Sequence, residues 1–234
     1  ENFAIEYVKT IENLGKRVVD SSKSFYNSED KWIFYLKCKK HKIEVPETIL
    51  LSENIILAKK ELKDFGKWPV VLKRVSGTMG EFVEKAENVN EAEKIIKKFW
   101  KKGSLRIPII AQEYIKSDCY RVTSINGKII QTAIKKRRNW KATGVYCLAE
   151  NIERFEADRK LKKIVKKISK ITDIKIAGID FLKKDGKWIV LEINAQPAFD
   201  FFSFEREKLI TKTIEYLIKE VKKIRLKKLL NIWH

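Results

Sequence analysis

Three oxygen-bearing side chains raise the first chemical question. In AGIDFLKKDGKWIVLEINAQP, residues 177–197, Asp180 and Glu192 sit on two apolar runs that flank a turn, and Asn194 follows two residues later. Two carboxylates and an amide suit a hard divalent cation such as magnesium, which keeps some waters and is completed by substrate phosphates. Acidic residues on an exposed strand face are usually just solvated, so the set carries weight only if one face holds all three. Hairpin register decides that. With Asp185-Gly186 as a two-residue turn, Asp180 lies opposite Leu191 and the two carboxylates take opposite faces. With Lys184-Asp185-Gly186 as a three-residue loop and Gly186 left-handed in a bulge, Asp180 pairs with Val190, and Asp180, Glu192 and Asn194 share a face. The second register also gathers Ile179, Phe181, Ile189, Leu191 and Ile193 on the opposite, core-like face, and it is the register expected.

A second set of residues could supply phosphates to such an ion. WPVVLKRVSGTMGEFVEKA, residues 68–86, places Lys73 at the end of an apolar strand, just before a loop whose Gly77 and Gly80 let backbone N–H groups approach an anion. No Lys-Ser or Lys-Thr pair follows the glycines and the GxGxxG spacing is absent, so neither familiar phosphate loop is present. An ordinary β-turn with a solvated lysine is the competing account. Histidine chemistry is disfavoured, since the chain has two histidines, His41 and the terminal His234. The three cysteines, Cys38, Cys119 and Cys147, lie far apart and suggest neither a disulfide framework nor a thiolate zinc site.

The elements that must position these residues follow from periodicity. The first 14 residues read as a helix ending at Gly15, and KRVVDSS as a short strand. A start on a helix feeding a strand leads to the expectation of a segment upstream. Ser28 is expected to cap a second helix carrying Trp32, Tyr35 and Leu36. From Pro46 to Lys116 the pattern is strand, helix, strand, loop, strand, helix, strand, with a capping box at Asn90 and Glu93. Beyond it come a hairpin turning at Asn126-Gly127, a helix near residues 157–172, the opening hairpin, and a last helix over 206–224 with Ile210, Ile214, Leu217, Val221 and Ile224 on one face.

Taken in order, Lys31 before a helix, VPET, VVLKRVSGTMG, QEYI, a basic segment, GIDFL and VLEINAQP resemble the ATP-grasp superfamily, in particular its RimK-like branch of amino-acid ligases. The resemblance runs from about residue 12 to 224. It implies an α+β fold of two lobes with the nucleotide between them: residues 1–45 the end of an N-terminal region plus a linking helix, 46–115 the small lobe with the phosphate loop, and 116–234 the large lobe with the metal site. It further implies ATP held by Lys31, Lys73, Gly77, Thr78, Met79 and Gly80 at the phosphates, and by Gln112, Glu113, Tyr114 and Ile115 at the adenine. Asp118 and Lys141 complete the nucleotide set. Magnesium falls to Asp180, Glu192 and Asn194, as two ions bridged by Glu192, with manganese an acceptable substitute.

The activity implied is ADP-forming ligation of a carboxylate to an amine through an acyl phosphate, with Arg121, Lys135 and Arg137 as catalytic cations and Arg138 and Lys141 as further candidates. The expected partners are ATP, an amino acid such as glutamate, an acidic acceptor, and a second copy of the chain. Three departures touch substrate choice. Cys119-Tyr120-Arg121 stands where relatives carry an aspartate two residues before the arginine, leaving Asp118 one position early. NWKATG replaces their Arg-x-Asn, and Phe82 stands where a further glycine is often found.

Composition points to a globular chain. The chain of 234 residues, 44% hydrophobic, shows no long apolar run and no basic stretch followed by a short apolar one at its start, so the expectation is a cytoplasmic protein with no membrane span or secretory signal. Lysine and arginine number 51 against 31 acidic residues, a net charge of +20 that attracts acidic acceptors and equally nucleic acid. Trp140 among Lys135, Lys136, Arg137, Arg138 and Lys141 gives the alternative reading, a catalytically silent scaffold gripping single strands or acidic partners. A lysine-rich composition spread along the whole chain is the plainer explanation of the charge.

Overall fold

A computed structural model of the protein describes residues 3–77, 80–101, 106–137, 140–141, 152–199 and 201–230, with the backbone alone at residues 3 and 224–230. Thr78, Met79 and Arg138, singled out above, lie outside the described residues. The chain opens with α1 (Phe3–Asn13), α2 (Ser22–Glu29) and α3 (Lys31–Lys40). Residues 16–20, expected as a strand, are irregular; no strand among the described residues lies beside them to complete a ladder. Ser28 is no cap. It is buried within α2 and donates to the Phe25 carbonyl, while Asp30 caps α3 by accepting the N–H groups of Trp32 and Ile33.

The small sheet holds β1 (Thr48–Leu50), β2 (Val70–Arg74), β3 (Val83–Ala86) and β4 (Ile109–Glu113) in the order β1-β4-β2-β3, all antiparallel. It packs on α4 (Ile55–Phe65) and α5 (Val89–Lys101) through Leu62, Leu72, Ile96, Phe99 and Ile109. The start of α5 lies two residues earlier than the expected box: Asn88 accepts the N–H groups of Asn90 and Glu91, and Glu91 reaches back to the N–H of Glu87. Glu93 is thereby left to pair with Lys59 and Lys97.

The large sheet holds β5 (Cys119–Ile125), β6 (Lys128–Lys135), β7 (Ile152–Glu153), β8 (Ile176–Lys184) and β9 (Lys187–Asn194) in the order β7-β6-β5-β8-β9. The Asn126-Gly127 turn forms as expected, both residues left-handed and Ile125 paired with Lys128. One face of this sheet is covered by α2, α3 and α6 (Arg159–Thr172), which bury Phe25, Phe34, Cys38, Leu161, Val165 and Ile168 against Val122, Ile179, Phe181, Val190 and Ile193. Thus α2 and α3, which precede the small sheet in sequence, complete the core of the large one. A backbone bond of 2.9 Å from Val190 to the Glu44 carbonyl ties the exit of α3 to strand β9.

The hairpin β8–β9 departs from the expected turn. Lys184 pairs with Lys187, and both Asp185 (φ 50) and Gly186 (φ 73) are left-handed, so the connection is a two-residue turn of type I′ rather than a three-residue loop. Asp180 and Glu192 nevertheless face each other, because the ladder slips between Phe181↔Val190 and Asp180↔Glu192, leaving Leu191 as the extra residue of a bulge. Upstream of the bulge the faces exchange. Trp188 and Val190 join the core, while Ile189 and Leu191 pack with Ile115 and Leu182 on the other side.

After a 3₁₀ turn at Ser203–Glu205, α7 runs over Arg206–Leu230. Its apolar stripe is largely outside: Ile210, Ile214 and Val221 are 38–52% exposed, the side chain of Ile224 lies outside the described residues, and among the described side chains of this helix Leu209 is the buried apolar one. Helical periodicity marked an apolar face without saying what covers it. No helix among the described residues is long and apolar enough to cross a membrane.

Candidate active site

The face of the large sheet opposite α2, α3 and α6 can be read from its ladders. Arg121 stands opposite Asp180, Cys119 opposite Lys135, and Gly178 opposite Asn194, so these six and Glu192 point to one side. Asp180 is fully buried. Arg121 grips it with both arms of the fork, Nε at 2.6 Å and Nη2 at 2.8 Å, and Lys135 Nζ stands 3.2 Å away. Burial alone would raise the Asp180 pKa, but Arg121 and Lys135 outweigh it and hold the carboxyl well below the usual range. Conversely, burial would depress Arg121 and Lys135, and Asp180 raises both above their ordinary values. Burial and the neighbouring Asp180 charge push the Cys119 thiol far up, so it stays protonated.

Do these residues fit a magnesium ion? Asp180, Glu192 and Asn194 are oxygen donors on one face; the Asn194 amide would offer its Oδ1, while its buried Nδ2, which has no hydrogen-bond partner among the described residues, can serve only as a donor to an anion or water beside the ion. No group of three Asp, Glu, His or Cys side chains able to hold a metal occurs among the described residues, and the set reaches three donors through the amide. The chemistry of the set fits a hard cation.

The small sheet brings one cation to the cleft. Lys73 is 6% exposed and donates to Gln112 Oε1 at 2.7 Å; the Gln112 amide in turn donates to Thr48, whose hydroxyl donates to the Pro46 carbonyl. Burial pulls the Lys73 pKa down from 10.5 to about 8, with Glu192 and Asp180 resisting and Lys31 adding to the fall. Lys31, the first residue of α3, donates its backbone N–H to Val75 and its ammonium to the Gly77 carbonyl at 2.9 Å. Gly77 (φ 137) and Gly80 (φ 74) use conformations that side chains resist. Phe82, the residue standing in place of a glycine, also has a positive φ of 52, and its ring stacks on the Arg74 guanidinium at 3.6 Å. Lys31, Lys73, Gln112, Val190 and Leu191 line a common cavity between α3 and the two sheets.

The other expected residues are placed as follows. The Glu113 carboxylate accepts from the Glu47 N–H and from Lys184, the Tyr114 hydroxyl accepts from Arg137, and Ile115 is buried against Leu182 and Ile189. The polar side chains expected at the adenine therefore make bonds within the protein. Asp118 lies just ahead of β5 and accepts the Arg137 N–H at 3.0 Å, so it is Cys119 that takes the ladder position on the site face. Lys141 lies over the Trp140 ring, 5.4 Å from its centre.

Sequence reasoning passed over Gly178. A Cβ there would stand 2.4 Å from Arg121 Nη1 and 3.0 Å from Pro197 Cβ, so the guanidinium rests against the bare backbone. Glycine inside an apolar strand is the signal that could have found it. Phe201, with its ring 5.7 Å from the Arg121 guanidinium carbon, was also missed.

Two antiparallel sheets that face a shared cleft, one offering a buried lysine and the other paired carboxylates, define an ATP-grasp fold. Solved structures share it: D-alanine–D-alanine ligase from Bacillus anthracis complexed with ATP superposes with a TM-score of 0.72 at 22% identity, covering 93% of this chain and 75% of that one. The RimK domain protein ATP-grasp from Sphaerobacter thermophilus gives 0.68 at 15% identity over 86% and 72%. At these identities the likeness is one of fold. In sequence the chain is 27% identical to the coenzyme gamma-F420-2:alpha-L-glutamate ligase of Methanococcus maripaludis over 83% of its length and 68% of that protein. It is also 27% identical to the glutamate–LysW ligase ArgX of Sulfolobus acidocaldarius over 82% and 69%. The model of the RimK-like ATP-grasp domain matches residues 28–217. The chain belongs to that family and is an ATP-grasp ligase.

Proposed function

We propose that this ligase joins the carboxylate of an acidic acceptor to the amine of an amino acid, glutamate first among the candidates, at the cost of ATP. The observation that carries the reading is the shared cavity: Lys31 and Lys73 line it together with Val190 and Leu191 of the strand that carries Glu192 and Asn194. Both curated relatives described above are named as glutamate ligases, which favours glutamate as the added residue.

The residues divide the chemistry. Lys31 and Lys73 would bind the nucleotide phosphates, with Gly77 and Gly80 bending the backbone beside them; Thr78 and Met79, outside the described residues, are assigned to the same phosphates on the sequence resemblance alone. Asp180, Glu192 and Asn194 would hold magnesium, which supplies neutralisation of the phosphate charge. An acceptor carboxylate oxygen attacks the γ-phosphorus, the bond to the β–γ bridging oxygen breaks, and ADP leaves. The amine then attacks the acyl carbon of the acyl phosphate, phosphate departs with the electron pair of the broken C–O bond, and the amine proton passes to phosphate or solvent. No protein nucleophile is needed. Arg121, Lys135 and Arg137 would stabilise the acceptor carboxylate and the acyl phosphate electrostatically.

Nucleic-acid binding gains no support from the basic segment. Lys135 is buried beside Asp180 on the site face, where a nucleic-acid strand on the surface does not reach it, Lys136 pairs with Glu153, and Arg137 is held toward Tyr114. The ligase reading is tested by ADP release from the purified chain with magnesium, a panel of amino acids and a panel of acidic acceptors. Release that requires both an acid and an amine, and that Glu192→Gln abolishes, supports it. Release indifferent to both substrates contradicts it.

A further inference from the structure

The metal carboxylate of the proposed site is already occupied. Both oxygens of Asp180 accept from Arg121, at 2.6 and 2.8 Å, and Lys135 stands at 3.2 Å. The ladder sets Asp180 opposite Glu192 and Gly178 opposite Asn194, so a group that lies over Gly178 while bonded to Asp180 stands among the three oxygen donors. That group is the Arg121 guanidinium, and it reaches this place because residue 178 has no side chain, the missing Cβ falling 2.4 Å from Nη1.

We propose that Gly178 is a positioning residue that lets Arg121 close Asp180 against divalent cations, so that a metal binds only as the guanidinium withdraws to another anion. The inference rests on Asp180 being a metal ligand. Its physical basis is competition. A cation cannot share a buried carboxylate with a bidentate arginine and a lysine unless one of them leaves, because like charges at such distances in a low-dielectric site repel strongly. The withdrawn guanidinium needs a new partner, which the nucleotide phosphates or the acceptor carboxylate would supply. Metal and anionic substrate would therefore bind cooperatively, each favouring the other through Arg121. Free magnesium would be excluded from the empty enzyme.

The test is Mn2+ binding to the full chain without nucleotide, followed by electron paramagnetic resonance at constant ionic strength. Arg121→Met removes the competitor, and Gly178→Ala displaces it while keeping its charge. Each is expected to bind Mn2+ at least roughly tenfold more tightly than the unsubstituted protein. A merely structural ion pair predicts the opposite, since disturbing it would loosen the site. If Arg121→Met does not fold, Gly178→Ala decides alone, with its melting profile as the check on folding. Equal or weaker Mn2+ binding in the folded variants overturns the proposal. Asp180→Asn separates the two levels. If it lowers Mn2+ binding measured with ADP present while Gly178→Ala gains nothing without ADP, the competition is wrong and the metal site stands. If Asp180→Asn changes nothing in either condition, Asp180 is no ligand and both readings fall.

Discussion

The two walls of the cleft carry buried charge in opposite states. On the small sheet Lys73 has a neutral partner, Gln112, and burial drags its pKa down to about 8. On the large sheet Asp180 has two cationic partners and is held firmly ionised. One wall is under-compensated and gains from an anion; the other is over-compensated and must give something up before a cation can enter. Such an arrangement is costly for an empty protein and favourable for one that closes on a polyanion with its metal.

The largest effect should come from the over-compensated wall. Asp180→Asn leaves Arg121 and Lys135 buried without their anion, and is expected to lose about 3–5 kcal/mol of stability together with all turnover, measurable by urea titration and ADP release. Glu192→Gln, at a half-buried position, is expected to abolish turnover with little loss of stability, which makes it the cleaner probe of the proposed metal site. If Asp180→Asn is as stable as the unsubstituted protein, the asymmetry between the walls is wrong.

On the under-compensated wall the outcome should invert. Lys73→Met removes a desolvated ammonium, so the empty protein is expected to melt no lower, while ADP affinity falls roughly tenfold to a hundredfold by calorimetry. Protons sharpen the contrast. The folded Lys73 pKa, about 8, lies below its unfolded value of 10.5, so between these values the unfolded chain binds more protons and stability rises with pH. The unsubstituted protein is therefore expected to gain stability relative to Lys73→Met across that window, and its ADP affinity to weaken above pH 8 as the ammonium is lost. A difference in stability that stays flat with pH would mean that Lys73 keeps its ordinary pKa.

The smallest effect belongs to the hairpin tip. Gly186→Ala, left-handed but with nothing within 4 Å of the new Cβ, is expected to cost about 1 kcal/mol in melting experiments and to leave ADP release unchanged. The carboxylates face each other through the bulge at Leu191, remote from the turn. Lost turnover in Gly186→Ala would return control of the register to the turn.

That hairpin also shows how much the sequence disclosed. Period-two alternation on both strands and the Asp185-Gly186 pair located the hairpin, and the three oxygen donors do share a face. The turn assigned was the wrong one, because pairing was assumed regular and a bulge within the apolar run WIVLE leaves no mark in composition. The order of elements in the small lobe was legible, since alternating strand and helix periods are separated by turns. The caps were less so: Asp30 and Asn88 each compete with a similar residue two positions away, Ser28 and Asn90, and packing selects between them. The helix α7 was legible as a helix, but periodicity reports an apolar stripe and says nothing of its partner. Long-range pairings such as Lys73 with Gln112 and Arg121 with Asp180 join residues 39 and 59 positions apart, and only the folded ladders bring them together.

The most direct test of the two-walled site is the stabilisation given by ADP, with and without magnesium, to the unsubstituted protein, Lys73→Met and Glu192→Gln. Ligands that bind only the folded state raise its melting temperature according to their affinity. The expected result is that Lys73→Met loses most of the ADP shift under both conditions, whereas Glu192→Gln keeps the shift given by ADP alone and loses the increment added by magnesium. A full magnesium increment in Glu192→Gln, or an undiminished ADP shift in Lys73→Met, would contradict the assignment of metal to one wall and phosphate to the other.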